Sequence, residues 1–105
     1  MLHIVGRATN NPVLQDSKNG KKFCRVPVAV NQRKKRSEKE VEEVTYYYDI
    51  LLFGKMAESA VKQVQTGDLV SSIGRPEFET YVSKKDKKVS KLKSTIHAEV
   101  WQVIK

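Results

Sequence analysis

The residues with the plainest chemistry are cations that occur in runs. Lys18, Lys21, Lys22 and Arg25 surround one turn, Arg33, Lys34, Lys35 and Arg36 are consecutive, and Lys84, Lys85, Lys87, Lys88, Lys91 and Lys93 crowd a third segment, opposed there by Asp86. Long cationic side chains at strand ends or loops neutralise phosphates along a flexible polyanion. Lysine at a sheet edge also deters edge-to-edge aggregation, which accounts for part of the last run. It accounts poorly for the adjacent cations at 33–36. Aromatic residues interleave with these runs. Tyr47 and Phe53 share one phase of a strand, about 20 Å apart at roughly 3.3 Å per residue. Tyr81 lies beside the last lysine run. Flat rings next to a positive track are what the stacking of unpaired bases requires. Tyr47 and Tyr81 therefore read as stacking residues, and the pattern leaves Phe53 open between stacking and packing. Tyr46, Tyr48, Phe23 and Phe78 read as core or subunit contacts. Trp101 falls off the core phase of its strand, and the pattern does not assign it.

Other chemistries lack their residues. The two histidines, His3 and His97, both fall in predicted strands, and no His-x-x-x-His, Cys-x-x-Cys, P-loop or Gly-x-Ser-x-Gly is present. The acidic residues at 38–43 alternate with lysine, the pattern of a solvated surface. No enzyme activity and no cofactor are expected. Lone Cys24 cannot form an intramolecular disulfide, and its place among core valines makes it a small buried hydrophobe. A helix-turn-helix, a basic heptad helix and a zinc finger are all missing, so a reader of duplex DNA is disfavoured.

The elements that position these residues follow from periodicity. The chain has 105 residues, with 20 Lys plus Arg against 12 Asp plus Glu, for a net charge of +8. That length predicts one domain spanning residues 1–105, and the charge predicts an anionic partner. With no apolar run long enough to cross a membrane and no signal peptide, a cytoplasmic protein is expected. Predicted strands cover Leu2 to Ala8, Lys22 to Asn31, Val44 to Phe53, Leu69 to Val82 and Ser94 to Ile104. Cys24, Val26, Val28 and Val30 share a core-facing phase, as do Ile96, Ala98, Val100 and Ile104. Pro27 belongs at an edge or bulge. Residues 32–43 read as a charged connection, and Gly74-Arg75-Pro76 as a bend or bulge. A helix over Lys55 to Gln65 would turn Met56, Ala57, Ala60, Val61 and Val64 inward to plug one end of a barrel, with Gly67 as its stop. Strands with one helix between the third and fourth of five predict an all-β fold, a five-stranded OB-fold barrel. Apolar residues on outward phases, Val5, Leu51 and Val103, suggest a buried subunit surface.

Several segments then resemble a known family. Leu2-His-Ile-Val-Gly-Arg7, Asn11-Pro12, Asn19-Gly20 and Val28-Ala-Val-Asn31 are similar to the start of bacterial-type single-stranded-DNA-binding proteins. Leu52-Phe-Gly-Lys-Met-Ala-Glu58, Gly67-Asp-Leu-Val70 and Ile73-Gly-Arg75 are similar to their middle. The resemblance implies an OB-fold that binds single-stranded DNA with little sequence preference during replication, recombination or repair. It implies no catalysis and no cofactor. It implies a homo-oligomer, a tetramer ahead of a dimer, associated with the nucleoid of a bacterial host. Its stacking positions fall on Tyr47, Phe53 and Tyr81. Where the family often has an aromatic, near position 34, this chain has Lys34, which substitutes a phosphate contact for a stack. The expected phosphate contacts are Arg33, Lys34, Lys35, Arg36, Lys84, Lys85, Lys87 and Lys88, joined by Arg7, Lys22 and Arg75. The sequence stops at Lys105 without an acidic tail, so recruitment of other proteins by such a tail is not expected. The alternatives are an assembly module resembling primosomal replication protein N, acting mainly through protein contacts, and an RNA-binding OB protein.

Overall fold

The computed structural model describes residues 1–35, 37–82 and 90–104, and the side chains of residues 34, 81, 82 and 90–92 stand outside that description. The elements are β1 (Leu2–Ala8), β2 (Gln15–Asp16), β3 (Lys22–Lys35), β4 (Val41–Phe53), α1 (Lys55–Gln63), β5 (Leu69–Val82) and β6 (Ser90–Ile104). The sheet order is β1-β5-β6-β4-β3-β2, and β1 also pairs with β3, so the long strands close into a ring. The closing pair β4–β6 is parallel, and the other pairs are antiparallel. This is the OB-fold expected from the strand rhythm. The two-residue β2 is an addition at the free side of β3, where Gln15 and Asp16 face Phe23 and Lys22 across a turn closed by Ser17 and Lys21.

The core is the inward phase of the long strands. Cys24, Val26, Val28, Ile50, Leu52, Val70 and Ile96 are at most 1% exposed. Burial in this apolar setting pushes the Cys24 thiol up to about 11, which suits packing and not nucleophilic chemistry. α1 packs Ala57, Ala60 and the following Val64 into this core, with Met56 and Val61 partly buried against it. The helix stops at Gln63, earlier than predicted, because Val64 is already extended. Gly67 is not its stop. It occupies the left-handed position (φ 93) of a separate turn, in which Asp68 N–H donates to the Gln65 carbonyl. The Asn11 side chain accepts from the Thr66 N–H and hydroxyl, tying the segment after β1 to this turn.

Four expectations change in three dimensions. The charged connection at 32–43 is mostly hairpin: Arg33 faces Glu43, Lys34 faces Glu42 and Lys35 faces Val41 across the β3–β4 ladder. Opposite charges directly across a ladder support pairing, so a segment with no hydrophobic alternation still forms strand. The irregularity opposite Gly74 lies on β6: Ile73 faces Val100 while Gly74 faces Ala98, which leaves Glu99 as the extra residue. That one residue reverses the phase of the rest of β6. Val100 and Ile104, predicted inward, are 59% and 43% exposed, while Trp101 and Val103 turn against the core. Gly74 is required there because a Cβ would run into the His97 carbonyl. Leu51 is buried within the chain, since it stands between Arg25 on β3 and His97 on β6.

Pro27 sits in regular register opposite Asp49, where β1 pairing ends. Its carbonyl accepts from Thr9 on the β1 side, so its missing N–H falls where no ladder partner remains.

Candidate nucleic-acid interface

Cross-strand partners share a face, so the registers place the candidate residues without further assumption. One row crosses four strands on the outer surface: Arg75 on β5, His97 on β6, Leu51 on β4 and Arg25 on β3. The next row holds Glu77, Thr95, Asp49 and Pro27. Beyond it, Tyr47 faces Ala29, and Ala29 faces Arg7 on β1. Farther along β3–β4, Asn31 faces Thr45 and Arg33 faces Glu43. The Thr45 hydroxyl donates to the Asn31 side-chain oxygen Oδ1 at 2.8 Å. At the opposite end Phe53 faces Phe23, their ring centroids 6.2 Å apart and tilted by 41°.

Tyr47 is 69% exposed, and its neighbours explain why. Ala29 offers no side chain tall enough to cover the ring. The parallel pairing of β4 with β6 begins only at Asp49 and Thr95, so no β6 residue pairs with Tyr47. Phe53 is 44% exposed, with one edge against Phe23 and the rest open. The surface thus presents two aromatic platforms with Arg25 between them and Arg7 and Arg33 near Tyr47.

The acids on this surface are engaged. Asp49 forms an ion pair with Arg25 at 3.7 Å, with both side chains substantially exposed. Glu77 pairs with the His97 ring. Exposed pairs of this kind contribute little, so a phosphate can displace either carboxylate from its cation. The hydrogen bond from His97, together with Glu79 and the nearby Arg25 charge, holds the Glu77 carboxyl below its ordinary value. A carboxyl lowered on folding favours the folded state above its unfolded pKa and loses that preference as pH falls through the lowered value. In an NMR pH titration, His97→Ala should raise the Glu77 midpoint toward the ordinary glutamate range. An unmoved midpoint would show that the pair does not operate in solution.

The predicted residues divide by location. Arg7, Arg33, Tyr47, Phe53 and Arg75 come together on one outer surface, although Arg7 also donates to the Gly67 carbonyl at 3.0 Å. Lys35 is exposed near the free end of β3 on the Arg33 phase. Lys22 is exposed on the phase opposite Phe23, facing Asp16, and so stands off this surface. The backbone of Lys34 lies in β3 and that of Tyr81 in β5 opposite Lys91, with both side chains outside the description. Arg36, Lys84, Lys85, Lys87 and Lys88 lie outside the described residues.

Two residues of this region were not among the expected contacts. Arg25, named in the first cation cluster but left out of the expected phosphate contacts, is central to the surface. Phe78, read from sequence as a core or subunit contact, is 55% exposed. It lines a cleft of about 400 Å³ with Thr45, Tyr46, Tyr47, Tyr48 and Ser94. Among the described residues no helix is long and apolar enough to cross a membrane, and no group of His, Cys, Asp and Glu side chains is arranged to hold a metal ion.

Comparison with known proteins agrees with this fold. The chain is 33% identical over 92 residues to the single-stranded DNA-binding protein of Aquifex aeolicus (strain VF5), covering 88% of this chain and 62% of that one. It is 30% identical over 78 residues to single-stranded DNA-binding protein 1 of Synechocystis, covering 74% of this chain and 61% of that one. The chain therefore spans about three-fifths of the length of these relatives. Its fold is similar to the crystal structure of the small single-stranded DNA-binding protein from Streptomyces coelicolor, with a TM-score of 0.79 at 23% identity over 98% of this chain and 92% of that one. It is also similar to the single-stranded DNA-binding protein from Thermus aquaticus, with a TM-score of 0.74 at 20% identity over 98% of this chain and 48% of that one. The model of the single-strand binding protein family matches residues 1–104, and the chain belongs to that family.

Proposed function

We propose that this chain binds single-stranded DNA with little sequence preference and protects it during replication, recombination or repair. The observation that carries the reading is the outer surface of β3–β4, where exposed Tyr47 and Phe53 alternate with the guanidinium groups of Arg7, Arg25 and Arg33. The corresponding strand pair is the surface on which OB-folds bind oligonucleotides. The names of the Aquifex and Synechocystis relatives support the same substrate. Bases stack on Tyr47, Phe53 and Tyr81. The phosphates are neutralised by Arg7, Arg33, Lys34, Lys35, Arg36 and Arg75, with Lys22 at the ring's end and Lys84, Lys85, Lys87 and Lys88 between β5 and β6. Binding of this kind requires no catalytic group.

The chain works as one binding domain in the cytoplasm, on strands exposed in the nucleoid, and self-associates, as a tetramer ahead of a dimer. Val5, Ile73, Val100 and Ile104 leave apolar surface on the outward phase of β1, β5 and β6, away from Tyr47. Burying that surface against a second copy suits so small a chain.

A titration with oligo-dT and with duplex of equal length, at two salt concentrations, tests the reading. Single strands should bind tighter, and the log–log salt slope should be about −0.7 for each phosphate neutralised. Arg33→Ala should make that slope shallower by about 0.7, while Tyr47→Ala leaves it unchanged. Equal affinity for duplex, or an affinity indifferent to salt, would overturn the proposal. Matched DNA and RNA oligomers in direct competition decide the sugar preference.

A further inference from the structure

The cleft beside Tyr47 exists because two ribbons part. β4 and β6 run in the same direction and pair from Asp49 and Thr95 onward. Upstream of that point β4 stays with β3 and β6 stays with β5, so the gap between the two ribbons is left open. Tyr46 and Tyr48 lie on the phase of Ile50 and Leu52, which are core. Phe78 faces Ser94 two residues beyond the Pro76–Ile96 pair, and so continues the core phase of the other ribbon. The cleft is thus an outward extension of the hydrophobic interior, and at its far wall a phenylalanine is 55% exposed.

We propose that this cleft is a further base-binding site, in which a nucleobase of the strand that crosses Tyr47 inserts between the ribbons and stacks on Phe78. The inference rests on the single-strand reading above. Among the described residues the lining consists of aromatic rings and hydroxyls, with no charged side chain, so it suits an uncharged base and leaves phosphates outside. Its volume of about 400 Å³ falls in the range of small-ligand sites. Tyr47 borders the same cleft, which makes the path continuous: a strand stacked on that ring has its next nucleotides at the opening. Arg33 lies on the Tyr47 face of the β3–β4 ribbon, four residues along β3 from Ala29.

The test measures affinity of the full chain for oligo-dT of graded length, alongside sedimentation of each variant. Phe78→Ala should weaken binding by about 5- to 100-fold for oligomers that reach past Tyr47, and leave the shortest ones and the salt slope unaffected. Phe78→Leu should be as weak as alanine, and Phe78→Trp should restore binding with fluorescence quenching on addition of DNA. Tyr47→Ala should weaken binding at every length. If Phe78→Ala matches the parent chain while Tyr47→Ala weakens binding, the cleft proposal falls and the single-strand reading stands. Rescue by leucine, or a change of oligomer size at unchanged affinity, would also overturn it, since Phe78 would then be a packing or subunit residue. If the parent chain itself does not bind oligo-dT, the functional reading fails and takes this site with it.

Discussion

Replacing Tyr47 and Phe53 together by alanine is expected to weaken oligo-dT binding by about 2–6 kcal/mol, from roughly thirtyfold to roughly twenty-thousandfold. Base–aromatic stacks in single-strand binders as a class contribute about 1–3 kcal/mol each by alanine substitution. The two rings lie six residues apart on one strand face, about 20 Å, so their losses should add. Each is also replaceable without wrecking the core: Tyr47 is 69% and Phe53 44% exposed. Phe53→Ala carries an additional small cost because Phe23 loses its neighbour at 6.2 Å. The discriminating measurement is the salt dependence, since removing a ring removes no counterion release. A double variant with unaltered affinity would take both rings out of the binding surface, whereas a shallower salt slope would show that the cations had been displaced as well.

Ile96→Ala should lower stability by about 2–5 kcal/mol, the range for truncating a fully buried aliphatic side chain. Ile96 is 0% exposed and faces Ile50, also 0% exposed, at the parallel seam that closes the ring. A domain of this size loses roughly 4–8 °C in Tm per kcal/mol, so a fall of about 10 °C or more is expected by calorimetry or circular dichroism. The side chain lies far from the outer surface. Below the variant's own transition, its affinity for oligo-dT should therefore remain close to that of the parent. A change of less than about 1 kcal/mol would show that the seam relaxes around the missing atoms.

These two variants mark two kinds of residue that differ in how visible they are in the sequence. The core position belongs to the inward phase that is apparent from Cys24 to Val30, from Ile50 to Leu52 and from Ile96 to Ala98, because alternation has a period of two and involves only near neighbours. For the same reason the predicted bounds of β1 and β5 agree with the structure. Where alternation is overwritten, the reading falters. Residues 32–43 carry charges in place of a hydrophobic pattern, and only cross-strand pairing such as that of Arg33 with Glu43 reveals 32–35 and 41–43 as strand. Val100 and Trp101 exchange faces because Glu99 is extra opposite Gly74, and nothing within β6 itself announces that.

The binding surface divides in the same way. Cation runs and the Tyr47 and Phe53 spacing are properties of the linear chain, and they were enough to indicate a polyanion with unpaired bases. The exposure of each ring was not among those properties. Tyr47 is open because its partner is Ala29 and because β6 joins β4 only from Asp49 onward, while Leu51, four residues later on the same face, is covered by Arg25 and His97. Phe78 is open because the two ribbons part before reaching it. The amino-acid order by itself determined which residues could be buried, which could bind phosphate, and that β-strands would arrange them. Only the tertiary structure decided which outward side chains are covered and which stand free, because that depends on which strand lies alongside and where its pairing stops, and both are set by contacts between residues far apart in the chain.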